Sequence, residues 1–349
     1  QLNAGIELLP VNDFAYYDQM LNMSTLLGVI PNRFKQATYD VETAFRMARG
    51  RAPSDDGHHC STGHDHEKPH QTKADYACGM KKWFDTNYHY IVPELNKNQT
   101  FEVTDTRLFE EVAEAQTIIK DSTSTIVKPV LIGPLTYLYL AQDKGYGKDK
   151  LTLLPDVLAA YQDILARLKA QGIAWVQLDE PILGLTLSKE WQQAFEPAYN
   201  ALNNSDINIL LTTYFETLGD NLTLINSLAI EGLHIDGLRG GAQLNDIVDT
   251  FSADKVLSLG LIDGRNIWKT DLTQAKILAQ NAFDKWQDNL WLAPSCSLLH
   301  VPVDLESEVT LDGELRDYLA FAKQKLTEIK HLSDVLTNSL QSKISGKMV

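Results

Sequence analysis

Cysteine is scarce in this chain. Only Cys60, Cys78 and Cys296 stand among its 349 residues. Three is an odd number that builds no disulfide framework, and it is expected of reduced thiols in a cytoplasm. Long apolar runs are missing as well: no stretch approaches roughly 18 uninterrupted apolar residues, so no membrane span is read. Basic charge is in deficit, with 31 Lys and Arg against 46 Asp and Glu for a net −15. That balance disfavours nucleic acid or an anionic membrane as a partner, while leaving room for a local basic pocket. The opening QLNAGIELLPVNDF lacks the basic region and cleavage site of a signal peptide and enters a strand at once, as a fragment of a longer fold would.

What is present is ordinary for a soluble globular enzyme: 44% hydrophobic and 22% charged residues, in a length that suits one large α/β barrel or two smaller domains. Apolar, strand-like runs occur at Ile6–Val11, after Tyr90, and at Ile126–Ile132, Ile173–Leu178, Ile207–Tyr214, Gly232–Ile235, Val256–Ile262 and Leu290–Ala293. Helical spacing separates them, at Phe14–Gly28, Val41–Ala48, Thr106–Lys120, Leu151–Gln171, Trp191–Leu202, Leu218–Ser227, Leu244–Phe251 and Leu272–Asp288. Gly28 and Gly172 stand where two of these helices should stop. Eight buried strands alternating with helices predict an α/β fold of the (β/α)8 TIM-barrel type, with Leu315–Leu340 as an extra helix outside it. A doubly wound sheet is the other arrangement, but no glycine-rich phosphate fingerprint follows the first strand.

One segment interrupts the pattern. Residues 52–75 read as an insertion within a single domain spanning 1–349, and five of the nine histidines (His58, His59, His64, His66 and His70) fall there beside Cys60. Imidazole and thiol suit zinc, nickel or copper. The spacing, however, is not that of a structural zinc site, and a solvated surface insertion accounts for it better.

In a barrel, functional groups gather at the carboxyl ends of strands. Those positions hold Asn12, Asp13, Asp179, Glu180, Tyr214, Asp236, Asp263, Arg265 and Cys296. Several acids around one mouth are compatible with acid–base chemistry, a glycosidase with two facing carboxylates included. Asp179 and Glu180 are adjacent on a strand, so they point in different directions and are not themselves such a pair. Each acid is also compatible with a supporting role, as in an Asp263–Arg265 bond that holds a loop.

The densest stretch is KKWFDTNYHYIVPE, Lys81–Glu94, whose polar-tipped aromatics are costly to bury unless each tip finds a partner. It reads as a polar-rimmed core segment or as the wall of a binding cleft. It resembles the KWFDTNYHYxVPE signature in the N-terminal half of the cobalamin-independent methionine synthases. The similarity continues through QLDEPILGL (177–185), LSLGLIDGRNIWKTDL (257–272) and LAPSCSLLHVPVDL (292–305), in family order and over essentially the whole chain outside the insertion.

The resemblance implies the first of two similar barrels in a cytoplasmic enzyme of methionine biosynthesis. That enzyme transfers a methyl group from 5-methyltetrahydropteroyl-polyglutamate to homocysteine. Its catalytic zinc sits in the C-terminal barrel, which is the implied partner, and no catalytic residue falls to this chain. Lys82 and Asn87 are implied to hold the polyglutamate tail. APSCSL puts Cys296 at one zinc-ligand position, but neither His nor Cys stands around Thr212–Tyr214, where the family has its His-x-Cys pair. This barrel is therefore expected to bind no catalytic zinc. A stand-alone binding barrel, with metal held by the His-rich insertion, is a reading of a different class.

Overall fold

The structure is a computed structural model. It describes residues 1–35, 41–52, 75–203 and 205–345, with residues 339–345 by backbone alone. Seven parallel strands form the main sheet, in the order β1 (Leu8–Val11), β5 (Ile126–Ile132), β7 (Trp175–Asp179), β8 (Asn208–Thr212), β9 (Gly232–Asp236), β10 (Val256–Ile262) and β11 (Leu290–Pro294). Four shorter strands lie outside it. β2 (Met80–Lys82) pairs antiparallel with β3 (His89–Ile91), and β4 (Glu94–Leu95) pairs parallel with β6 (Gln142–Asp143).

The pleat sorts the side chains of each strand. In β7, Val176 and Leu178 enter the large apolar core under the helices. Trp175, Gln177 and Asp179 take the opposite face. Trp175 meets Trp291 of β11 with ring centroids 4.7 Å apart, although three strands separate them in the sheet. The sheet is therefore curled into an open barrel of the expected type, and that contact crosses its lumen.

Apart from the helix at Pro134–Leu140, which the periodicity did not mark, the helices from Gln19 to Trp286 fall where the spacing put them. In chain order the helices are α1 (Gln19–Leu26), α2 (Val41–Arg49), α3 (Arg107–Ile118), α4 (Pro134–Leu140), α5 (Leu154–Ala170), α6 (Lys189–Asn203), α7 (Leu222–Ser227), α8 (Leu244–Thr250) and α9 (Leu272–Trp286). A short α10 (Gly313–Arg316) precedes α11 (Ala322–Ser345), which lays Ile329, Leu332 and Leu336 onto the core from outside the sheet. Gly172 follows α5 at φ +82°, a left-handed turn that glycine adopts without a Cβ penalty.

One strand departs from the expectation. The segment after Tyr90 does not enter the main sheet, and β1 pairs directly with β5. Its backbone donors are committed elsewhere: Ile91 N–H goes to the Asp18 carboxylate at 2.9 Å and Val92 N–H to Gly79 O at 2.8 Å. A short apolar run of this kind does not reveal which partner claims its hydrogen bonds.

The insertion departs from a single point, because Arg51 and Asp75 form an antiparallel bridge that Arg46 reinforces by an ion pair to Asp75. His58, His59, Cys60, His64, His66 and His70 lie outside the described residues. Among the described residues, no group of His, Cys, Asp or Glu is arranged to hold a metal, and no helix is long and apolar enough to cross a membrane.

Candidate functional site

The β2–β3 hairpin carries the densest motif, and its polar tips do find partners. Trp83 N–H donates to Tyr88 O at 2.7 Å, and the Thr86 hydroxyl donates to Trp83 O at 2.7 Å. Trp83 is buried edge-on to Phe84 and Tyr90. The Tyr88 hydroxyl accepts from Gln19 N–H at 3.2 Å, and its ring meets His300. Arg265 closes onto Asp85 at 2.9 Å and lies over the Phe215 ring. Asp18 ties the hairpin to α1, capping Leu21 N–H with one oxygen and holding Ile91 N–H with the other.

This anchoring leaves Lys81 and Lys82 exposed on one wall of a groove of about 810 Å³. Phe84, Tyr139, Lys148 and Lys150 also line it. Lys82 thus stands in a groove where four lysines outnumber two acids, Asp143 and Asp149, on a protein that is acidic overall. Asn87 does not share that groove: it sits exposed in the hairpin turn, its carbonyl 2.9 Å from His89 Nδ1. Lys148 and Lys150 were invisible to sequence reasoning, because single lysines in a polar loop look like solvated charge.

The strand ends form a separate, mostly buried network. Lys128 of β5, 8% exposed, donates to Gln177 Oε1, and Gln177 Nε2 donates to Asp179 Oδ1 at 2.8 Å. The Tyr214 hydroxyl donates to Asp179 Oδ2 at 3.1 Å. Burial lowers the proton affinity of Lys128 and raises that of Asp179, while Lys128 is drawn electrostatically to both Asp179 and Asp13. The ammonium therefore compensates these acids. A lysine within the apolar run IVKPVLI is the sequence signal for Lys128.

As the alternation requires, Glu180 turns away from Asp179. It is fully buried and accepts from Leu135 N–H (3.0 Å), Thr136 N–H (2.7 Å), the Thr136 hydroxyl (2.5 Å) and the Tyr199 hydroxyl (3.4 Å). It serves as the anchor of the first turn of α4. Asn12 binds Val130 O at 2.8 Å. Asp263 accepts from Arg265 N–H at 2.8 Å, from the Asn266 amide at 2.7 Å and from Arg239 at 3.3 Å. These acids are bound into the scaffold.

The residues at the zinc-ligand positions do not fit a zinc ion. Cys296 is buried and supplies one thiol, and one ligand does not make a zinc site. The neighbouring strand-end acid Asp236 offers no free ligand either, since it accepts from the Phe215, Leu238 and Arg239 backbone N–H groups. Thr212 and Tyr214 supply no imidazole or thiol.

Comparison with known proteins adds three findings. The family described as "Cobalamin-independent synthase, N-terminal domain" matches residues 1–286. A B12-independent methionine synthase from Shewanella sp. W3-18-1, solved with selenomethionine, superposes with a TM-score of 0.53 at 13% identity, over 76% of this chain and 75% of that one. A methyltransferase from Methanosarcina mazei superposes with a TM-score of 0.52 at 12% identity, over 74% and 76% of the two chains. At such identities the superpositions speak for the fold.

Proposed function

We propose a tail-docking role from the premise that this chain belongs to the cobalamin-independent methionine synthase family, as the N-terminal domain of those enzymes. On this reading, the groove beside the β2–β3 hairpin holds the glutamate tail of a 5-methyltetrahydrofolate polyglutamate. The methyl transfer to homocysteine is then performed in the whole enzyme by a zinc-bearing C-terminal barrel. The observation that carries it is the position of Lys82, in a groove with three further lysines on a chain of net charge −15. A chain of carboxylates wants cations and donors, and charge-assisted hydrogen bonds are the strong ones. Asn87, at the hairpin turn, is proposed to meet the ligand outside the groove proper. The bonded acids of the barrel mouth favour scaffold over hydrolysis, and the zinc chemistry is assigned to the other half of the enzyme. Cys78 and Cys296, the cysteines among the described residues, are free thiols, in keeping with a cytoplasmic setting.

Two measurements test this reading. Calorimetry with 5-methyltetrahydrofolate triglutamate should give binding that Lys82→Ala weakens by about tenfold, the loss of one charge-assisted bond. Equal affinity in both proteins rejects the role of Lys82. The isolated chain should show no homocysteine methyltransferase turnover, and activity above background would mean that the chemistry is not confined to another barrel.

A further inference from the structure

We propose that Arg265 is a positioning residue of this groove: it acts through the β2–β3 hairpin, holding Phe84 in a left-handed turn and so fixing Phe84 and Lys82 on the wall. The inference rests on the tail-docking reading and adds a residue outside the groove lining, 180 positions from the hairpin residue it binds.

The sign of such a role is backbone strain. Phe84 and Phe215 stand at φ +51° and +79°, a left-handed region that bulky side chains seldom enter. Strain of this kind persists only where the surroundings dictate it, and it gathers at functional sites. The two side chains pack together, with ring centroids 6.1 Å apart. At Phe84 the cause lies on both sides. Trp83 before it is buried, with its N–H bonded to Tyr88 O at 2.7 Å. Asp85 after it is held by Arg265, whose Nη1 lies 2.9 Å from Asp85 Oδ1 and whose Nη2 donates to Asp85 O at 3.4 Å. A chain pinned on either side of one residue makes its turn at that residue. Lys82 and His89 are the last pair of the β2–β3 ladder, so the turn sets where Lys82 stands.

Arg265 is itself anchored. Its backbone N–H donates to Asp263 Oδ1 at 2.8 Å, and its guanidinium lies 4.7 Å over the Phe215 ring. Phe215 N–H donates to Asp236 Oδ2 at 3.3 Å, which ties that ring's backbone to the barrel mouth. His300 closes the cluster, 5.6 Å from the Phe215 ring and 5.6 Å from Tyr88 of the hairpin. Burial, and then the charge of Arg265, lower His300 to about 4, so a neutral imidazole sits beside the guanidinium. Asp85 is exposed, and an ion pair to an exposed carboxylate contributes little stability. The contribution of Arg265 is therefore geometric. Phe84 lines the groove with Lys82, and both follow the turn that Arg265 holds.

Two experiments test the role, the first without a ligand. Glycine usually destabilises relative to alanine, but at a left-handed position the order reverses. Phe84→Gly should therefore melt about 2 °C above Phe84→Ala, and adding Arg265→Gln to both should remove that difference by freeing the turn to relax. A difference that never appears, or that persists without Arg265, overturns the hold on Phe84. The second is calorimetry with 5-methyltetrahydrofolate triglutamate. Arg265→Gln should weaken binding about fivefold while its melting temperature stays within about 3 °C of wild type. In the Lys82→Ala background the same substitution should add less than about twofold, because it acts through the wall that carries Lys82. Effects that multiply in full, or an Arg265→Gln affinity equal to wild type while Lys82→Ala still weakens binding, overturn the positioning role alone. Triglutamate binding that is absent, or indifferent to Lys82→Ala, overturns the docking reading and the positioning role with it.

Discussion

Gly133→Ala is expected to destabilise the protein by at least about 4 kcal/mol, enough to leave much of it unfolded. Gly133 lies between the end of β5 and the start of α4, its N–H bonded to Asp179 O at 2.8 Å. A Cβ on it would stand 2.2 Å from both Cδ and Oε1 of Glu180. That carboxylate cannot swing aside, because it is fully buried and held by donors from Leu135, Thr136 and Tyr199. Displacing it would strand backbone N–H groups in the interior, where each unsatisfied donor costs about 1–3 kcal/mol. Urea unfolding checks the expectation, with Gly241→Ala as the control. A Cβ at Gly241 meets nothing within 4 Å, and that variant should stay within about 0.5 kcal/mol of wild type. Adding Glu180→Ala to Gly133→Ala relieves the collision, so the two losses should fall short of additive by more than about 1 kcal/mol. A Gly133→Ala protein as stable as the wild type removes the close approach from the fold.

Asp18→Asn should make the stability difference from wild type depend on pH, by a few kcal/mol. Asp18 is fully buried, and burial pushes its carboxyl up to about 7 against the donors Leu21 N–H and Ile91 N–H that lower it. A carboxyl raised in the folded state contributes most below its unfolded pKa of about 4 and loses that contribution as pH climbs through about 7. Wild type should therefore outperform Asp18→Asn most at pH 4–5, and the gap should shrink by roughly 3–4 kcal/mol by pH 8. The comparison is made between variants because other groups titrate against it. His234 and His300 are lowered to about 4, chiefly by burial, so they favour the folded state as pH rises towards the ordinary histidine value. Glu180, raised to about 7 by burial, acts in the same direction as Asp18. Those contributions are common to both proteins and cancel in the difference. A gap that stays constant from pH 4 to 8 excludes the buried, proton-binding Asp18.

Much of this molecule is written locally. Alternating apolar runs and helical spacings located all seven strands of the main sheet and the principal helices, since the period of side-chain burial belongs to the element itself. Gly172 marked a helix end because its left-handed turn admits few other residues. Lys81–Glu94 announced a family whose match to residues 1–286 agrees with it. The opposite directions of Asp179 and Glu180 followed from the pleat alone.

Tertiary structure decided the rest. It sent the strand after Tyr90 into a hairpin, because Asp18, some seventy residues earlier, claims the Ile91 N–H. It turned the acids of the mouth into anchors, and it brought the Lys128 charge within electrostatic reach of Asp179 on the neighbouring strand, a pairing no local pattern specifies. It also faced Lys82 with Lys148 and Lys150 across one groove. Hydrophobic period is a property of neighbours in the chain, whereas the meaning of a charge depends on what the fold brings beside it.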